Sequence, residues 1–143
     1  MDKLTENKIA EYLKSQSRNK IVYYKNSFFD FAPVDIGNLL SQVIYKWNDD
    51  NKLSMKVSTE LDDILNQAMI NHNIYGRMIS ISNIGILLEP SLKQDIRRLF
   101  EKHSNNNVLF VKWEGEIDNE YLYFLTKKNG IKIDIKNVSH ITL

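Results

Sequence analysis

Short apolar runs separated by polar turns predict the strands of this protein. Residues 21–24, 78–82 and 108–111 are rich in β-branched and aromatic side chains, as buried strands usually are. Residues 53–57 alternate apolar and polar positions, and we interpret them as a further strand. Four strands are therefore expected before the C-terminal third of the chain.

Between these strands, apolar residues recur three or four positions apart, which is the spacing of one helix face. Asp35 and Pro90 are suited to helix starts, because an Asp side chain caps free amides and Pro lacks only an amide that the first turn does not use. The expected helices are an N-terminal one ending at residues 15–17, one from Asp35 to Trp47 before a turn at 48–51, one from Ser58 or Thr59 to residues 72–76, and one beginning at Pro90.

The last third of the chain has a different pattern. Residues 121–125 and 131–135 alternate in the manner of short strands, and Asn-Gly closes the turn at 127–130 between them. Residues 138–143 are expected to add an edge strand. The order βαβαβαβ followed by a hairpin predicts an α/β fold in three layers. A mostly parallel central sheet would be flanked by helices, with a C-terminal antiparallel β-hairpin at one edge.

Composition narrows the possible functions. Nineteen Lys and Arg against 18 Asp and Glu give a net charge of +1, which argues against a protein that is basic all over but permits a local basic face. The absence of cysteine excludes disulfides, thiolate zinc sites and cysteine nucleophiles. Residues 1–8 lack the apolar segment of a secretory signal, and no run reaches the roughly 18 apolar residues of a membrane helix. We therefore expect a cytoplasmic protein without a membrane partner, folded as a single domain over residues 1–143.

Three passages resemble a known family, the small P-loop-type accessory protein of BREX-like bacterial phage-defence systems. Residues 81–95 (ISNIGILLEPSLKQD) are similar to the strand and post-strand segment of that family. Residues 104–115 are similar to its polar turn and strand ending in Trp-x-Gly, and residues 53–69 to a short strand followed by a helix. The resemblance covers most of residues 20–125. It implies a P-loop NTPase-like α/β domain that assembles with a larger defence subunit.

The chain departs from this family where nucleotide chemistry would occur. After the first strand the family carries a glycine-rich phosphate loop, whereas this chain has Lys25, Ser27 and bulky Phe residues. The family's metal-holding Asp corresponds to Ser82, which has no carboxylate for Mg²⁺. We expect a degenerate P-loop-like domain with no hydrolysis and no cofactor. Lys25, Ser27 and Ser82 are the only residual candidates for nucleotide contact.

Two groups of side chains are candidates for partner binding. One is a set of cations on the helix predicted to begin at Pro90; its members are Lys93, Arg97, Arg98 and Lys102. These side chains would form a solvated face, contact a partner protein or its nucleotide, or bind DNA phosphates. The other group is the aromatic set Phe28, Phe29 and Phe31, which would fill the core or expose a subset to a partner.

Other chemistry-bearing residues have a simpler interpretation. The acidic residues between Glu114 and Glu120 are expected to form a solvated turn, because E-x-K on a predicted strand, as nuclease chemistry needs, is absent. His72, His103 and His140 lack metal-ligand spacing, and helix ends or plain surface account for them better than catalysis does.

The sequence thus favours a non-enzymatic accessory or adaptor subunit of an anti-phage complex, bound to a larger ATPase or nuclease. Two alternatives remain open. One is a nucleic-acid-binding module using Arg97 and Arg98, and the other is a residual nucleotide-binding protein using Lys25 and Ser27.

Overall fold

A computed structural model describes residues 2–26, 29–46, 52–124, 126–129 and 131–143. Their elements follow in chain order. They are α1 (Lys3–Lys14), β1 (Lys20–Tyr24), β2 (Val34–Asp35), α2 (Ile36–Lys46), α3 (Leu53–Ala68), β3 (Ile70–His72), β4 (Gly76–Ser82), α4 (Ile96–His103), β5 (Val108–Lys112), β6 (Tyr121–Tyr123), β7 (Lys132–Asp134) and β8 (Ile141–Thr142). Short 3-10 helices span Ile84–Leu88, Pro90–Leu92 and Lys127–Asn129.

The central sheet has six strands and is mostly parallel. Its main path runs β2-β4-β5-β1-β8, and every neighbouring pair along this path is parallel. β3 pairs antiparallel with the start of β4. Because the main-path strands are parallel, the carboxyl ends of β1, β4 and β5 lie at one edge of the sheet, which we call the carboxyl edge. The predicted α/β fold with a mostly parallel sheet is confirmed.

Alternate residues of the central strands face opposite sides of the sheet. The front face, which includes Ile21 and Tyr23 of β1, packs against α2, α3, α4 and the β6-β7 hairpin in an aliphatic core. The back face, which includes Val22 and Tyr24, packs against α1 and the aromatic residues Phe29 and Phe31. Both faces are covered, as the near-continuous apolar runs of β1 and β5 require.

Short acidic side chains determine where three helices begin. The Asp2, Asp35 and Asp95 carboxylates each accept a hydrogen bond from a backbone amide in the first turn of the helix that follows. The predicted cap at Asp35 is therefore confirmed, and α2 follows it to Lys46. Trp47 and the predicted turn at 48–51 lie outside the described residues.

The predicted strand at residues 53–57 is wrong. These residues form the first turns of α3, so Ser58 and Thr59 lie inside the helix and do not cap it. Leu53 and Val57 are four positions apart, and Leu61 and Leu65 continue the spacing onto the buried face. Five residues of alternation fit either structure, and only the longer four-residue period identifies the helix.

Two helix boundaries also differ from expectation. Residues 72–76 were expected to close a helix, but α3 ends at Ala68 and Ile70–His72 forms β3, which turns back into β4. Pro90 begins only the short 3-10 helix Pro90–Leu92, which ends at Lys93 with a φ of 51°. α4 then starts separately at Ile96, behind the Asp95 cap.

The C-terminal hairpin is confirmed as antiparallel, with Leu122 opposite Ile133. It forms a separate two-stranded sheet over the front face instead of extending the edge of the central sheet. The predicted edge strand is present as β8, paired with β1. None of the helices in the described ranges has the length and apolar character to span a bilayer.

Candidate functional sites at the carboxyl edge and on helix α4

The carboxyl edge holds the residues that the family resemblance places at a nucleotide site. Lys25 is exposed just beyond β1, and Ser27 lies outside the described residues. Ser82 ends β4 opposite Asp35 of β2, and its hydroxyl donates a 3.5 Å hydrogen bond to the carbonyl of Val34. Ser82 therefore helps to attach β2 to the sheet.

Asn83, the next residue, connects the sheet to the start of α2. Its backbone is left-handed (φ 54°), and its side-chain amide donates to the Asp35 carboxylate at 2.8 Å. Hydrogen bonds from the Asn38 amide and then from Asn83 lower the pKa of Asp35. A Cβ at Gly37 would collide with the Asn83 side chain and lie 2.9 Å from its carbonyl oxygen, so only glycine fits there. Sequence reasoning missed this contact, in which Asp35 is the last residue of β2 and Asn83 follows directly after β4.

Beside Asn83 lies a cleft of about 320 Å³, which we call the carboxyl-edge cleft. It lies where β4 and β5 end, and the segment after β6 closes it. Its lining residues are Asn83, Ile84, Gly85, Lys112, Trp113, Glu114, Gly115, Phe124 and Thr126. In open parallel sheets, ligands bind outside the carboxyl ends of the strands. That rule is the one sequence-level signal that could have singled out the residues after β5.

The four cations predicted to share one helix separate into two groups, and Lys93 lies before α4, at the end of the 3-10 helix Pro90–Leu92. Arg98, Lys102 and Lys93 line a cleft between α3 and α4. Arg98 and Lys102 also line an adjacent polar depression with Arg18, which comes from the segment before β1. We call Arg18, Lys93, Arg98 and Lys102 the basic face; the sequence analysis missed Arg18 because it is 80 positions from Arg98 along the chain.

Arg97 points to a different part of the molecule. Its guanidinium lies 3.2 Å from the Glu101 carboxylate, one turn along α4, and 3.6 Å from Asp134 of β7. Arg97 therefore joins α4 to the hairpin. Arg98, by contrast, is exposed and forms no ion pair with any residue in the described ranges.

Lys102 belongs to a small network that holds α4 against α3. Asp62 accepts hydrogen bonds from Lys102 at 2.7 Å and from the buried His103 ring at 2.9 Å. Burial acts to raise the pKa of Asp62, but the hydrogen bonds from Lys102 and His103 outweigh it and the pKa is lowered. His103 therefore has a structural partner, and only the outer side of Lys102 is available to other molecules.

The aromatic residues after β1 pack on the back face. The rings of Phe29 and Phe31 are stacked 4.7 Å apart and lie 5.3 and 5.0 Å from the ring of Phe110. Both side chains are half-buried. Phe29 and Phe31 therefore contribute to the core, which is one of the two roles expected for them. Each side chain also keeps a solvent-facing part. Phe28 lies outside the described residues.

His72 forms the second His–Asp pair, at the edge of the same aromatic cluster. Its Nε2 lies 2.8 Å from the Asp30 carboxylate, and its Nδ1 accepts the backbone amides of Ile74 and Tyr75 at 3.0 and 3.3 Å. An Nδ1 that accepts two amides carries no proton, so Nε2 is the protonated donor to Asp30. Both ring nitrogens are therefore hydrogen-bonded, Nδ1 to amides of the β3-β4 turn and Nε2 to Asp30, which leaves neither for general-base chemistry.

The acidic turn before β6 also has a structural role. Asp118 accepts the amides of Glu120 and Tyr121 and the hydroxyl of Tyr123, all within 2.8 Å. The hydrogen bond from Tyr123, together with those from the two amides, lowers the pKa of Asp118 to about 2. The same Tyr123–Asp118 hydrogen bond raises the pKa of Tyr123 to about 12. Within the part of the chain that the structure describes, no group of three or more His, Asp or Glu could hold a metal ion.

Comparison with known proteins adds no assignment to this geometry. No protein-family model matches the chain, and no curated protein or solved structure matches it.

Proposed function

We propose that this protein is a non-catalytic accessory subunit of a bacterial anti-phage complex, and that it docks on a larger ATPase or nuclease through the basic face. The defence context rests on the resemblance of residues 81–95 and 104–115 to the BREX-like accessory family. The docking surface rests on the position of Arg18, Lys93, Arg98 and Lys102.

The observation that carries the proposal is the convergence of Arg18 and Arg98 on one polar depression. Arg98 has no carboxylate partner in the described ranges, whereas its neighbour Arg97 has two. The Arg18 guanidinium is held by Asn105 at 3.3 Å. Two arginines that line one depression suit a planar carboxylate, and arginines are frequent at the energetic centres of protein interfaces. Glu101 and Asp62 lie among these cations. Their negative charges favour a partner protein with a surface of mixed charge over a uniform polyanion.

The non-catalytic part of the proposal is supported by the contacts at the carboxyl edge. Ser82 bonds to a strand carbonyl, Asn83 and Asp35 bond to each other, and Trp113 continues the ladder through its amide to the Tyr24 carbonyl. Of the positions that the resemblance assigns to nucleotide chemistry, Ser82 thus has a role in holding the sheet together, Lys25 is exposed, and Ser27 lies outside the described residues.

The test is affinity purification of the tagged protein from its native host, with intact mass and peptide sequencing of the eluate. We expect stoichiometric recovery of one large subunit that carries complete ATPase or nuclease motifs. Arg98→Glu should reduce that recovery at least about tenfold, since a lost charge-assisted contact is worth about 1.4 kcal/mol or more. Lys128→Glu, a matched charge reversal on the exposed hairpin turn, should leave it unchanged.

Two results would contradict the proposal. One is recovery of the protein alone. The other is equal recovery by Arg98→Glu and Lys128→Glu, which would remove the basic face from the interface.

A second candidate function is nucleic-acid binding by the same face. Three cations around one depression, Arg18, Arg98 and Lys102, also suit a phosphate group. Titration of labelled DNA and RNA at several salt concentrations distinguishes the two candidates. A nucleic-acid site would give an affinity that falls steeply with salt and depends on Arg98.

A further inference from the structure

The carboxyl-edge cleft is separate from the basic face and has a different character. At about 320 Å³ it lies at the small end of the range for ligand pockets, which suits a molecule of one or two rings. It occupies the edge of the sheet where α/β proteins place their ligands. Residues that follow β4, residues at and after the end of β5, and residues after β6 meet there, so its shape depends on three parts of the chain.

The walls of the cleft are aromatic and held in place. Trp113 is 4% exposed, and its indole N–H donates to the Tyr123 carbonyl at 3.1 Å, which fixes the plane of the ring. Phe124 lies against Gly85 so closely that a Cβ at position 85 would be 2.8 Å from the Phe124 ring. Glycine at position 85 thus allows Phe124 to close the cleft, and Phe124 remains 39% exposed.

Two opposite charges are part of the same lining. Lys112 is the half-buried last residue of β5, and its register opposite Tyr24 starts its side chain on the back side of the sheet. Glu114 follows two positions later, and both residues line the cleft. Within the described residues neither of them forms an ion pair, with the other or with any third residue. A cation and an anion beside an aromatic cleft are complementary to a ligand that carries one charge of each sign on an aromatic body.

We propose that the carboxyl-edge cleft binds a free aromatic α-amino acid. Its ring packs against Phe124 and Trp113, its carboxylate pairs with Lys112, whose long side chain bends around the end of β5, and its ammonium group pairs with Glu114. This site is independent of the docking function proposed for the basic face. It would make the accessory subunit responsive to a small molecule.

Trp113 provides a direct reporter for this binding. The chain has two tryptophans, so Trp47→Phe leaves Trp113 as the only one. Titration of that variant with L-phenylalanine should give a saturable change in tryptophan fluorescence. Three truncated probes should each bind at least about tenfold more weakly, the loss of one contact of about 1.4 kcal/mol. They are 3-phenylpropanoate without the ammonium group, phenethylamine without the carboxylate, and glycine without the ring.

Substitutions assign each contact. Lys112→Met should weaken L-phenylalanine and leave phenethylamine unchanged, whereas Glu114→Gln should weaken L-phenylalanine and leave 3-phenylpropanoate unchanged. Gly85→Ala should weaken every aromatic probe, because the added methyl displaces Phe124. Thermal unfolding of each variant verifies that it is folded, and Lys128→Gln is the matched surface control.

Three outcomes would overturn the proposal. The first is no saturable change with L-phenylalanine up to its solubility. The second is equal binding of all four probes. The third is equal or tighter binding of N-acetyl-phenylalaninamide, which has no free charges and would identify the cleft as a socket for a side chain of a partner protein.

Discussion

The two faces of the central sheet are both buried, but by different kinds of side chain. On the front face, aliphatic residues from α2, α3, α4 and the hairpin share the burial, and hydrogen bonds such as the one between His103 and Asp62 hold the helices together. On the back face, one ring, Phe110, contacts Tyr24, Phe29, Phe31 and Tyr75. The front face is a core shared among several helices and the hairpin, whereas the back face is an aromatic cluster in which Phe110 is the most deeply buried ring. Adjacent residues of one strand therefore differ in what their loss should do.

The largest expected effect comes from removing that central ring. Phe110 is fully buried, and Phe110→Ala should lower the free energy of unfolding by about 4 kcal/mol, because the cavity also removes the ring against which both Phe29 and Phe31 pack. Leu109→Ala, the neighbouring front-face residue, should cost about 3 kcal/mol. Urea unfolding measures both. A cost for Leu109→Ala that exceeds that of Phe110→Ala would contradict the contrast between the faces.

A smaller effect is expected for the hydroxyl of Tyr24 on the back face. It lies 2.9 Å from the Ser80 hydroxyl, and both residues are buried. Tyr24→Phe should destabilise the protein by about 1 to 2 kcal/mol, since Ser80 then loses its partner. In a double-mutant cycle, adding Ser80→Ala should cost less than it does in the wild type. Strict additivity would show that the two hydroxyls do not interact.

The opposite sign is expected for the hydroxyl of Tyr23, one residue earlier and on the front face. Tyr23 is fully buried, and its hydroxyl has no hydrogen-bond partner among the residues that the structure describes. Burial raises its pKa. Tyr23→Phe should therefore leave stability unchanged or increase it by up to about 1 kcal/mol, because an unpaired polar group no longer has to be buried. A loss of stability would instead reveal a partner for this hydroxyl.

The smallest expected effect is on the acid sensitivity of stability, through Asp118 beside the hairpin on the front face. The folded-state pKa of Asp118 is about 2, below its ordinary value of 3.8. A carboxyl with a lowered folded pKa contributes stability that is fully present above the ordinary value and is lost as pH falls through the folded value. Asp118→Asn should therefore flatten the decline in urea midpoint between about pH 4 and pH 2. An unchanged slope would show that Asp118 does not contribute to the acid sensitivity.

The sequence predicted the parts of the fold that local patterns determine. The runs of β1 and β5, the Asp35 cap and the antiparallel hairpin each follow from residues that are close together in the chain. The wrong prediction came where a short pattern is compatible with two kinds of secondary structure. Residues 53–57 fit a strand or a helix, and only the four-residue spacing that continues through Leu61 and Leu65 assigns them to α3.

The candidate sites were less predictable than the fold. The sequence named Lys93, Arg98 and Lys102, because one helix was expected to carry them, although Lys93 lies before α4. It also grouped them with Arg97, which instead pairs with Asp134. Arg18 was missed because its proximity to Arg98 arises only when the segment before β1 lies beside α4.

What the sequence determined by itself is the α/β class, the near-neutral charge and the lack of cysteine chemistry, since these depend on composition and local periodicity. Only the tertiary structure decided which side chains share a cleft. Gly85, Lys112, Trp113 and Phe124 come from three segments, and their meeting depends on strand order and on the position of the hairpin. Such contacts arise from long-range packing, which no local pattern encodes.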